Sequence, residues 1–193
     1  VEIGDSPAAG FAAALLADFG AETIVVEPRG GSGLRRLGGP EVRAVWWPIL
    51  ARNKRSLALD LEAPEALPVA EALLKRADIV FLDESAAGRA LRRIAGEVGH
   101  AAQVMRIFAP GEDRPDLWRD GKSAALAGCA TGVVALTGMP DGPPIQAEFP
   151  LADNTSGILA AALALVELRR ARLTGAAPRA LELGLHEALQ RMN

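Results

Sequence analysis

The stretch AAGFAAALLADFGAETIVVEPRGG, residues 8 to 31, determines the fold that we expect for this chain. Residues 8–19 have a helical pattern, and Gly20 directly after them is a typical helix stop. TIVVE at 23–27 is a short run of mainly β-branched residues, which predicts a buried strand, and a glycine-rich turn follows it. A helix followed at once by a buried strand indicates an α/β arrangement.

The rest of the sequence continues this alternation. Further strands are predicted at 56–61, 78–83, 102–109 and 179–185, and further helices at 64–76, 88–95, 123–136 and 151–173. Continuous apolar strands separated by helices are typical of a mainly parallel sheet covered by helices. On a strand, the adjacent Trp46 and Trp47 would point in opposite directions, so one of them is expected in the core. We therefore predict an α/β fold with a mainly parallel sheet.

The composition of the chain argues against several classes of protein. The chain has 193 residues, of which 50% are hydrophobic and 23% charged, a globular balance with enough apolar material for a core. The net charge is −3 and no basic block occurs, so nucleic acid is not an expected partner. The longest apolar run is interrupted by Glu167 and is interpreted as too short to cross a membrane. With no signal peptide before Val1, a cytoplasmic location is expected.

The sequence also argues against a metal centre. Cys129 is the only cysteine, which excludes a disulfide framework and a thiolate cluster, and we expect it to be a small buried residue. The two histidines, His100 and His186, are far apart in the sequence. No metal site is predicted.

Asp153 is the candidate catalytic residue. It stands in FPLADNTSG at 149–157, directly before an apolar helix pattern. One interpretation is a helix cap, because Asp, Asn, Thr and Ser all accept hydrogen bonds from free amides at a helix start. The other is a carboxylate nucleophile, held where backbone dipoles favour its anionic form. The residues alone leave both open.

Two segments could hold an anionic ligand. PRGGSG at 28–33 lacks the G-x-G-x-x-G spacing of a dinucleotide loop, which disfavours an NAD site. Arg29, Arg35 and Arg36, in and after this turn, could bind a phosphate. RNKRS at 52–56 is either a solvated basic turn or a contact for an anion or an adenine nucleotide. The candidate contacts there are Asn53, Lys54 and Arg55.

Several segments, taken in this order, resemble the family III CoA-transferases, which include formyl-CoA transferase and the carnitine and bile-acid CoA-transferases. The segments are LLADFGAETIVVEPRG (15–30), RNKRSLALDLEAPE (52–65), ADIVFLDE (77–84), ALTGMPDGPP (135–144) and PLADNTSGILAAALALVELR (150–169). The resemblance covers essentially the whole chain and implies a Rossmann-like large domain, flanked by helices, in an interlocked homodimer. It also implies acyl-CoA and a small carboxylic acid as substrates, without a prosthetic group.

Members of this family are considerably longer than this sequence. Residues 1–193 are therefore expected to be an incomplete large domain that lacks the small domain. Such a chain would form a homodimer or pair with a second CoA-transferase half. A non-catalytic, degenerate module that scaffolds a partner chain or second half is the alternative to an enzyme.

The resemblance also implies roles for single residues. Asp153 would be the nucleophile, acting through a mixed anhydride and an aspartyl-CoA thioester, and Arg29 and Arg93 would contact CoA phosphates. Two segments depart from the family pattern. Glu84-Ser85-Ala86-Ala87 stands where the family has Asn-Phe-Arg-Pro, which removes an amide and a cation and adds a negative charge. The α-methylacyl-CoA racemases share the fold of this family and carry an acid where this sequence has Ser123-Ala124. Asp120 is a poor substitute on spacing, so a racemase mechanism is disfavoured.

Overall fold

The computed structural model describes residues 1–98, 100–109, 123–146 and 150–192, the side chains of 39–44 and 123 excepted. The strands are β1 (Glu2–Ile3), β2 (Thr23–Glu27), β3 (Lys54–Ala58), β4 (Ile79–Leu82), β5 (Gln103–Phe108) and β6 (Leu181–Gly184). The helices are α1 (Pro7–Asp18), α2 (Gly39–Ala51), α3 (Leu67–Arg76), α4 (Ala86–Glu97), α5 (Ser123–Ala130), α6 (Leu151–Thr174) and α7 (Leu185–Leu189). Short 3-10 helices lie at Gly33–Arg36, Pro64–Ala66, Val133–Leu136 and Gln190–Met192.

The strands form one sheet in the order β3-β2-β1-β4-β5-β6, and every pair is parallel. The chain first builds outward from β1 to β2 and β3, and then returns to place β4 on the other side of β1. In the central register, Ile3 pairs with Val26 on one side and with Leu82 on the other. The predicted mainly parallel, Rossmann-like α/β fold is confirmed.

Each face of the sheet carries its own hydrophobic core. Because side chains alternate along a strand, Phe81 points into the core under α1, α6 and α7, whereas Val80 and Leu82 point into the core under α3 and α4. Residues buried on both faces explain why the strands are continuous apolar runs rather than alternating ones.

Small residues allow α1 and α6 to approach closely. Ser6 caps α1 by accepting a hydrogen bond from the Ala9 amide at 3.4 Å, and Pro7 occupies the first turn. On α6, a methyl group built on Gly157 would lie 2.9 Å from the Ala8 carbonyl oxygen. This contact brings the start of α1 beside the first turns of α6.

Helix α6 has 24 residues and contains an 18-residue window with a mean hydropathy of 1.4, so it is long and apolar enough to span a membrane. This finding concerns length and composition only, and the apolar run predicted to be too short is the shorter one that Glu167 interrupts within this helix. Its buried face, which includes Ala160 and Ala164, belongs to the core under α1, and Glu167 is also buried. Packing in the core thus accounts for much of its apolar composition.

Some expectations fail at the level of single elements. Trp46 and Trp47 lie on α2, which the sequence did not reveal, and both are half-buried, so neither is a core residue. Cys129 is exposed rather than buried. The predicted helix 123–136 ends at Ala130, beyond which Gly132 adopts a φ of 79°. Asp120 lies outside the described residues.

Candidate active site

Asp153 lies where the starts of two helices meet. It is the third residue of α6, whose capping position is occupied by Pro150, so it is not the residue that caps this helix. Its carboxylate accepts hydrogen bonds from its own backbone amide and from the amide of Ala8, the second residue of α1. Only 6% of the residue is exposed. The positive ends of two helix dipoles therefore act on one buried carboxylate.

Burial raises the pKa of Asp153 to about 6, and the hydrogen bonds from the amides of Ala8 and Asp153 act in the opposite direction. Loss of hydration is the dominant cause, because water stabilises the charged form of a carboxyl group better than this site does. The group is still mainly ionised at neutral pH. A carboxylate with little hydration but with its charge retained is suited to nucleophilic attack.

A cavity of about 220 Å³ opens beside Asp153. It lies between α5, the segment at 133–146, the first turn of α6 and the end of α7. Ala124 is part of its wall. By the family resemblance, the acid of the racemases corresponds to this alanine. Its methyl group can neither donate nor accept a proton, so the described wall offers no second acid opposite Asp153.

A second cavity, of about 150 Å³, lies at the carboxyl ends of β1, β2 and β4. In parallel α/β sheets, ligands bind at the point where the strand order reverses, which here is between β1 and β4. We call this cavity the crevice. Among the residues that the structure describes, its ionisable lining side chains are acidic: Asp5, Glu27, Asp60 and Glu62.

Glu27 in the crevice is occupied by contacts within the chain. Arg35 donates to both carboxylate oxygens at 2.6 and 2.7 Å, and Ser56 and the Ser32 amide donate at 2.6 and 2.9 Å. These bonds, those from Arg35 first, lower the pKa of Glu27 to about 2. The guanidinium of Arg35 also stacks on Trp47 at 4.1 Å, so this arginine supports the turn after β2.

The turn from β1 into α1 connects the crevice with Asp153. Asp5 lines the crevice, and three residues further on Ala8 donates to Asp153. Asp83 fixes this turn by accepting from the Asp5 amide at 2.7 Å. Gly4 is required there, because its φ is 120° and a methyl group would lie 2.0 Å from the Asp83 carboxylate.

The other predicted site residues occupy different positions. Arg29 is exposed in the turn after β2, and Arg93 is exposed on α4, the helix whose first residues line the crevice. Asn53, Lys54 and Arg55 lie at the amino end of β3, at the opposite edge of the parallel sheet. The structure therefore does not bring these three together with Asp153.

The contacts of RNKRS favour a structural role within the chain over either a solvated turn or a site for an anion. The Lys54 ammonium is buried against Glu2 and donates to the Gly10 carbonyl at 2.7 Å. Asn53 donates to Asp18 at 2.9 Å, and Arg55 pairs with Glu22 at 2.8 Å. A contact of Lys54 with CoA is not supported, because burial removes its charge from any ligand surface.

The negative charge that Glu84 adds to the family pattern is balanced locally. Arg106 and Arg92 pair with Glu84 at 2.7 and 2.8 Å, and Arg106 also pairs with Glu182 at 2.9 Å. These ion pairs link the segment after β4 with α4, β5 and β6. Glu84 therefore presents less net charge to a nearby anion than the sequence alone indicates.

Sequence reasoning missed two parts of the site. The Ala8 amide carries no side-chain signal, although Ser6-Pro7 is a recognisable helix start that leaves the next amides free. The cavity wall around Thr137 and Ile145 comes from a segment that was interpreted only as a turn-rich linker.

Comparison with known proteins gives consistent matches. The model of CoA-transferase family III matches residues 1–98 and 111–192. Succinyl-CoA–D-citramalate CoA-transferase of Chloroflexus aurantiacus is 33% identical over 197 residues, which cover 98% of this chain and 48% of that protein. The beta subunit of succinyl-CoA–L-malate CoA-transferase of the same organism is 33% identical over 178 residues, covering 87% of this chain and 43% of the subunit.

The chain spans about half the length of the curated relatives it matches. Among solved structures, a CAIB/BAIF family protein from Brucella suis superposes with a TM-score of 0.81 over 98% of this chain and 52% of that one. The identity there is 20%, so this match concerns the fold alone.

Proposed function

Because the chain belongs to CoA-transferase family III, we propose that it transfers CoA between an acyl-CoA and a carboxylic acid, with Asp153 as the nucleophile. The observation that carries this proposal is the buried carboxylate at the meeting point of two helix starts, beside a cavity. Acyl-CoA enters as a substrate, and the mechanism needs no prosthetic group.

The proposed reaction runs through covalent intermediates on Asp153. A carboxylate oxygen bonds to the thioester carbonyl carbon, the C–S bond breaks, and CoA leaves as a thiolate. The thiolate then attacks the Asp153 carbonyl carbon of the mixed anhydride, which releases the first acid and leaves an aspartyl-CoA thioester. The acceptor carboxylate attacks this thioester, which expels the CoA thiolate and forms a second anhydride. The thiolate then attacks the acceptor's carbonyl carbon, which forms the new acyl-CoA and releases the Asp153 carboxylate. Each covalent step is easier than one direct exchange.

The two helix starts give this chemistry its electrostatic support. The amides of Ala8 and Asp153 already hydrogen-bond the resting carboxylate. When an oxyanion develops on the Asp153 carbonyl, the same donors are in place without reorganisation. The pKa of about 6 leaves the nucleophile ionised at neutral pH.

We propose that CoA lies across the turn from β1 into α1. Its nucleotide would occupy the crevice and its thioester the cavity at Asp153, since on this turn Asp5 lines the crevice and the Ala8 amide donates to Asp153, which lines the other cavity. Arg29 and Arg93 are the proposed phosphate contacts, because both are exposed cations on elements that border the crevice. Ala124 favours a transferase over a racemase.

Pairing with further chain is also part of the proposal. Helix α6 exposes an apolar stripe formed by Ile158, Leu165, Val166 and Leu173, which are between 49% and 73% exposed. We propose that a segment equivalent to the second half of the longer relatives covers this stripe, within an interlocked dimer. A cytoplasmic location stays a prediction, to be checked by cell fractionation.

The test is acylation of Asp153. Incubation with a panel of acyl-CoA thioesters, followed by peptide mass spectrometry, is expected to reveal an acyl or CoA adduct on the peptide that carries Asp153. The Asp153→Asn variant should stay unmodified. The same panel is tested on a chain that also carries a segment equivalent to the second half of the longer relatives. If no thioester modifies Asp153 in either chain, the proposed mechanism is wrong.

The acidic crevice favours one alternative, a non-catalytic module that scaffolds a partner chain. Four carboxylates line the place where a phosphate-rich nucleotide would bind, which disfavours CoA. Calorimetry with CoA distinguishes the two functions. Heat of binding that the wild-type chain shows and the Arg29→Ala variant lacks supports the enzyme. Absence of binding supports the scaffold.

A further inference from the structure

Asp83 follows β4 directly and holds two neighbouring turns. One oxygen of its carboxylate accepts from the Asp5 amide at 2.7 Å, and the other accepts from the Ser85 amide at 3.0 Å. Asp5 lies in the turn from β1 into α1, and Ser85 caps α4 by accepting from the Gly88 amide at 3.1 Å. Only 8% of Asp83 is exposed. A buried carboxylate that accepts from two backbone amides fixes both turns relative to each other.

The surroundings of Asp83 leave it little freedom to move. A methyl group on Gly4 would lie 2.0 Å from its carboxylate, and one on Gly88 would lie 2.1 Å from its backbone carbonyl oxygen. The turn from β1 into α1 and the first turn of α4 therefore both pack closely on this residue. Asp5 is held a second time, because its carboxylate accepts from the Ser32 hydroxyl at 2.7 Å.

The chain between Asp5 and Ala8 is stiff. Pro7 restricts its own φ, and Ser6 caps α1 by accepting from the Ala9 amide at 3.4 Å. A displacement of the Asp5 backbone is therefore passed on to Ala8, three residues further on, rather than absorbed between them.

We propose that Asp83 is a positioning residue for Asp153: by holding the turn from β1 into α1, it keeps the Ala8 amide directed at the Asp153 carboxylate. This inference rests on the proposed function, because it adds a residue to the site of the same nucleophile. Asp83 acts through the backbone of the turn. Its loss should loosen the bond from Ala8 and leave Asp153 in its place on α6.

Titration of the Asp153 carboxyl group, followed by NMR in the isotope-labelled chain, tests this role. The bond from Ala8 lowers the pKa of Asp153, so a looser bond should raise that pKa above about 6. Asp83→Asn leaves one acceptor oxygen for two amides and is expected to raise the pKa of Asp153 by about 0.5 or more. Removal of a nearby negative charge would by itself lower this pKa, so the sign of the change distinguishes position from charge.

Asp83→Glu keeps the charge and moves the carboxylate by one methylene group. It is also expected to raise the pKa of Asp153, because the acceptor no longer meets the Asp5 amide. In both variants, the Ala8 amide proton should respond about half as strongly or less to the ionisation of Asp153 as in the wild type. An unchanged pKa and an unchanged Ala8 response overturn the inference. If neither variant folds, Asp83 has a purely structural role and the inference fails as well.

The matched control is Glu167→Gln, in the second half of α6. Glu167 is also buried and accepts from the Arg179 amide at 2.7 Å, so its replacement should lower the melting temperature too. It lies about 21 Å beyond Asp153 along the helix, and the titration of Asp153 should therefore stay unchanged. If Glu167→Gln alters this titration as Asp83→Asn does, a general loosening of the fold is the cause and the inference is wrong.

These measurements are separable from a failure of the proposed function, because the titration needs no turnover. Asp83→Asn is also expected to slow acylation of Asp153 about tenfold at saturating thioester. A raised pKa in the variants, with no acylation of any chain, contradicts the proposed function but supports the role of Asp83. Acylation that proceeds equally fast in the wild type and in both Asp83 variants supports the proposed function and contradicts the role of Asp83.

Discussion

At the scale of single residues, Asp153 is a buried carboxylate at two helix starts. It does not cap α6, whose capping position is Pro150, but it accepts from the amides of Ala8 and Asp153. The raised pKa favours the interpretation as a reactive group, because a carboxylate that only stabilised free amides at a helix start would have a lowered pKa. The folded protein therefore keeps, in Asp153, a carboxylate whose ionised form lowers the free energy of unfolding.

Substitution of Asp153 is expected to stabilise the protein. A folded-state pKa of about 6, above the ordinary 3.8, means that this group favours folding most at low pH and loses that contribution as the pH rises through 6. Asp153→Asn should therefore raise the free energy of unfolding by up to about 3 kcal/mol near pH 8, and by about zero below pH 4. Urea unfolding at both pH values measures the difference.

The control for this prediction is Asp141→Asn, in an exposed turn, which should change the free energy by less than about 0.5 kcal/mol at either pH. Asn keeps a carbonyl that can accept from Ala8, so loss of that bond does not obscure the effect. A wild-type protein more stable than Asp153→Asn near pH 8 would contradict the argument.

The sequence predicted Asp153 as a candidate, but it did not predict the environment of this residue. A carboxylate before an apolar helix is visible in the residues, whereas the Ala8 amide becomes a partner only because α1 and α6 pack together. Likewise, nothing in RNKRS reveals that Lys54 is buried against Glu2. Long-range contacts, rather than local composition, decide which charged residues are available to a ligand.

At the scale of elements, the contact between α1 and α6 positions the site. Gly157 lies where a side chain would meet the Ala8 carbonyl oxygen at 2.9 Å and the Phe11 ring at 3.0 Å. Because the obstacle at Ala8 is backbone, it cannot rotate away. The two helices would have to separate to accept even a methyl group.

Gly157→Ala is accordingly expected to destabilise the protein by about 1–3 kcal/mol and to slow acylation of Asp153. The matched control is Gly96→Ala on α4, where no atom lies within 4 Å of the added methyl group. That variant should be stabilised by up to about 1 kcal/mol. Thermal unfolding compares both, and equal melting temperatures would contradict this account of the helix contact.

Elements with a strong pattern were predictable, and the others were not. The strand at 23–27 was predicted at its observed bounds, and the predicted helix at 151–173 differs from α6 only at its last residue. Helix α2 was not predicted, because Pro48 lies inside it and two adjacent tryptophans disturb its helical hydrophobic pattern. The two-residue strand β1 is too short to carry any periodicity.

At the scale of the whole molecule, the exposed stripe on α6 is the feature that this chain does not itself explain. Apolar residues scattered singly over a surface are normal, but a row along one helix marks a surface that contacts something else. The chain spans about half the length of its curated relatives. The proposed cover of the stripe is a segment equivalent to the second half of those relatives.

Left uncovered, the stripe is expected to make the chain associate with itself. Leu165→Lys combined with Val166→Lys should weaken self-association at least about tenfold, as measured by sedimentation equilibrium. Leu67→Lys combined with Val69→Lys, on exposed positions of α3, serves as the control and should leave association unchanged. Equal effects of the two pairs would show that any apolar surface, rather than this stripe, drives association.

The bond from Ala8 to Asp153 joins residues of two helices that lie far apart in the sequence. Closing a contact across so much chain costs conformational entropy, which the packing of α1 against α6 has to offset. The raised pKa of Asp153 therefore belongs to the folded chain, and an unfolded chain would carry an aspartate of ordinary acidity. For the proposed function, this means that reactivity toward thioesters is lost whenever the two helices separate.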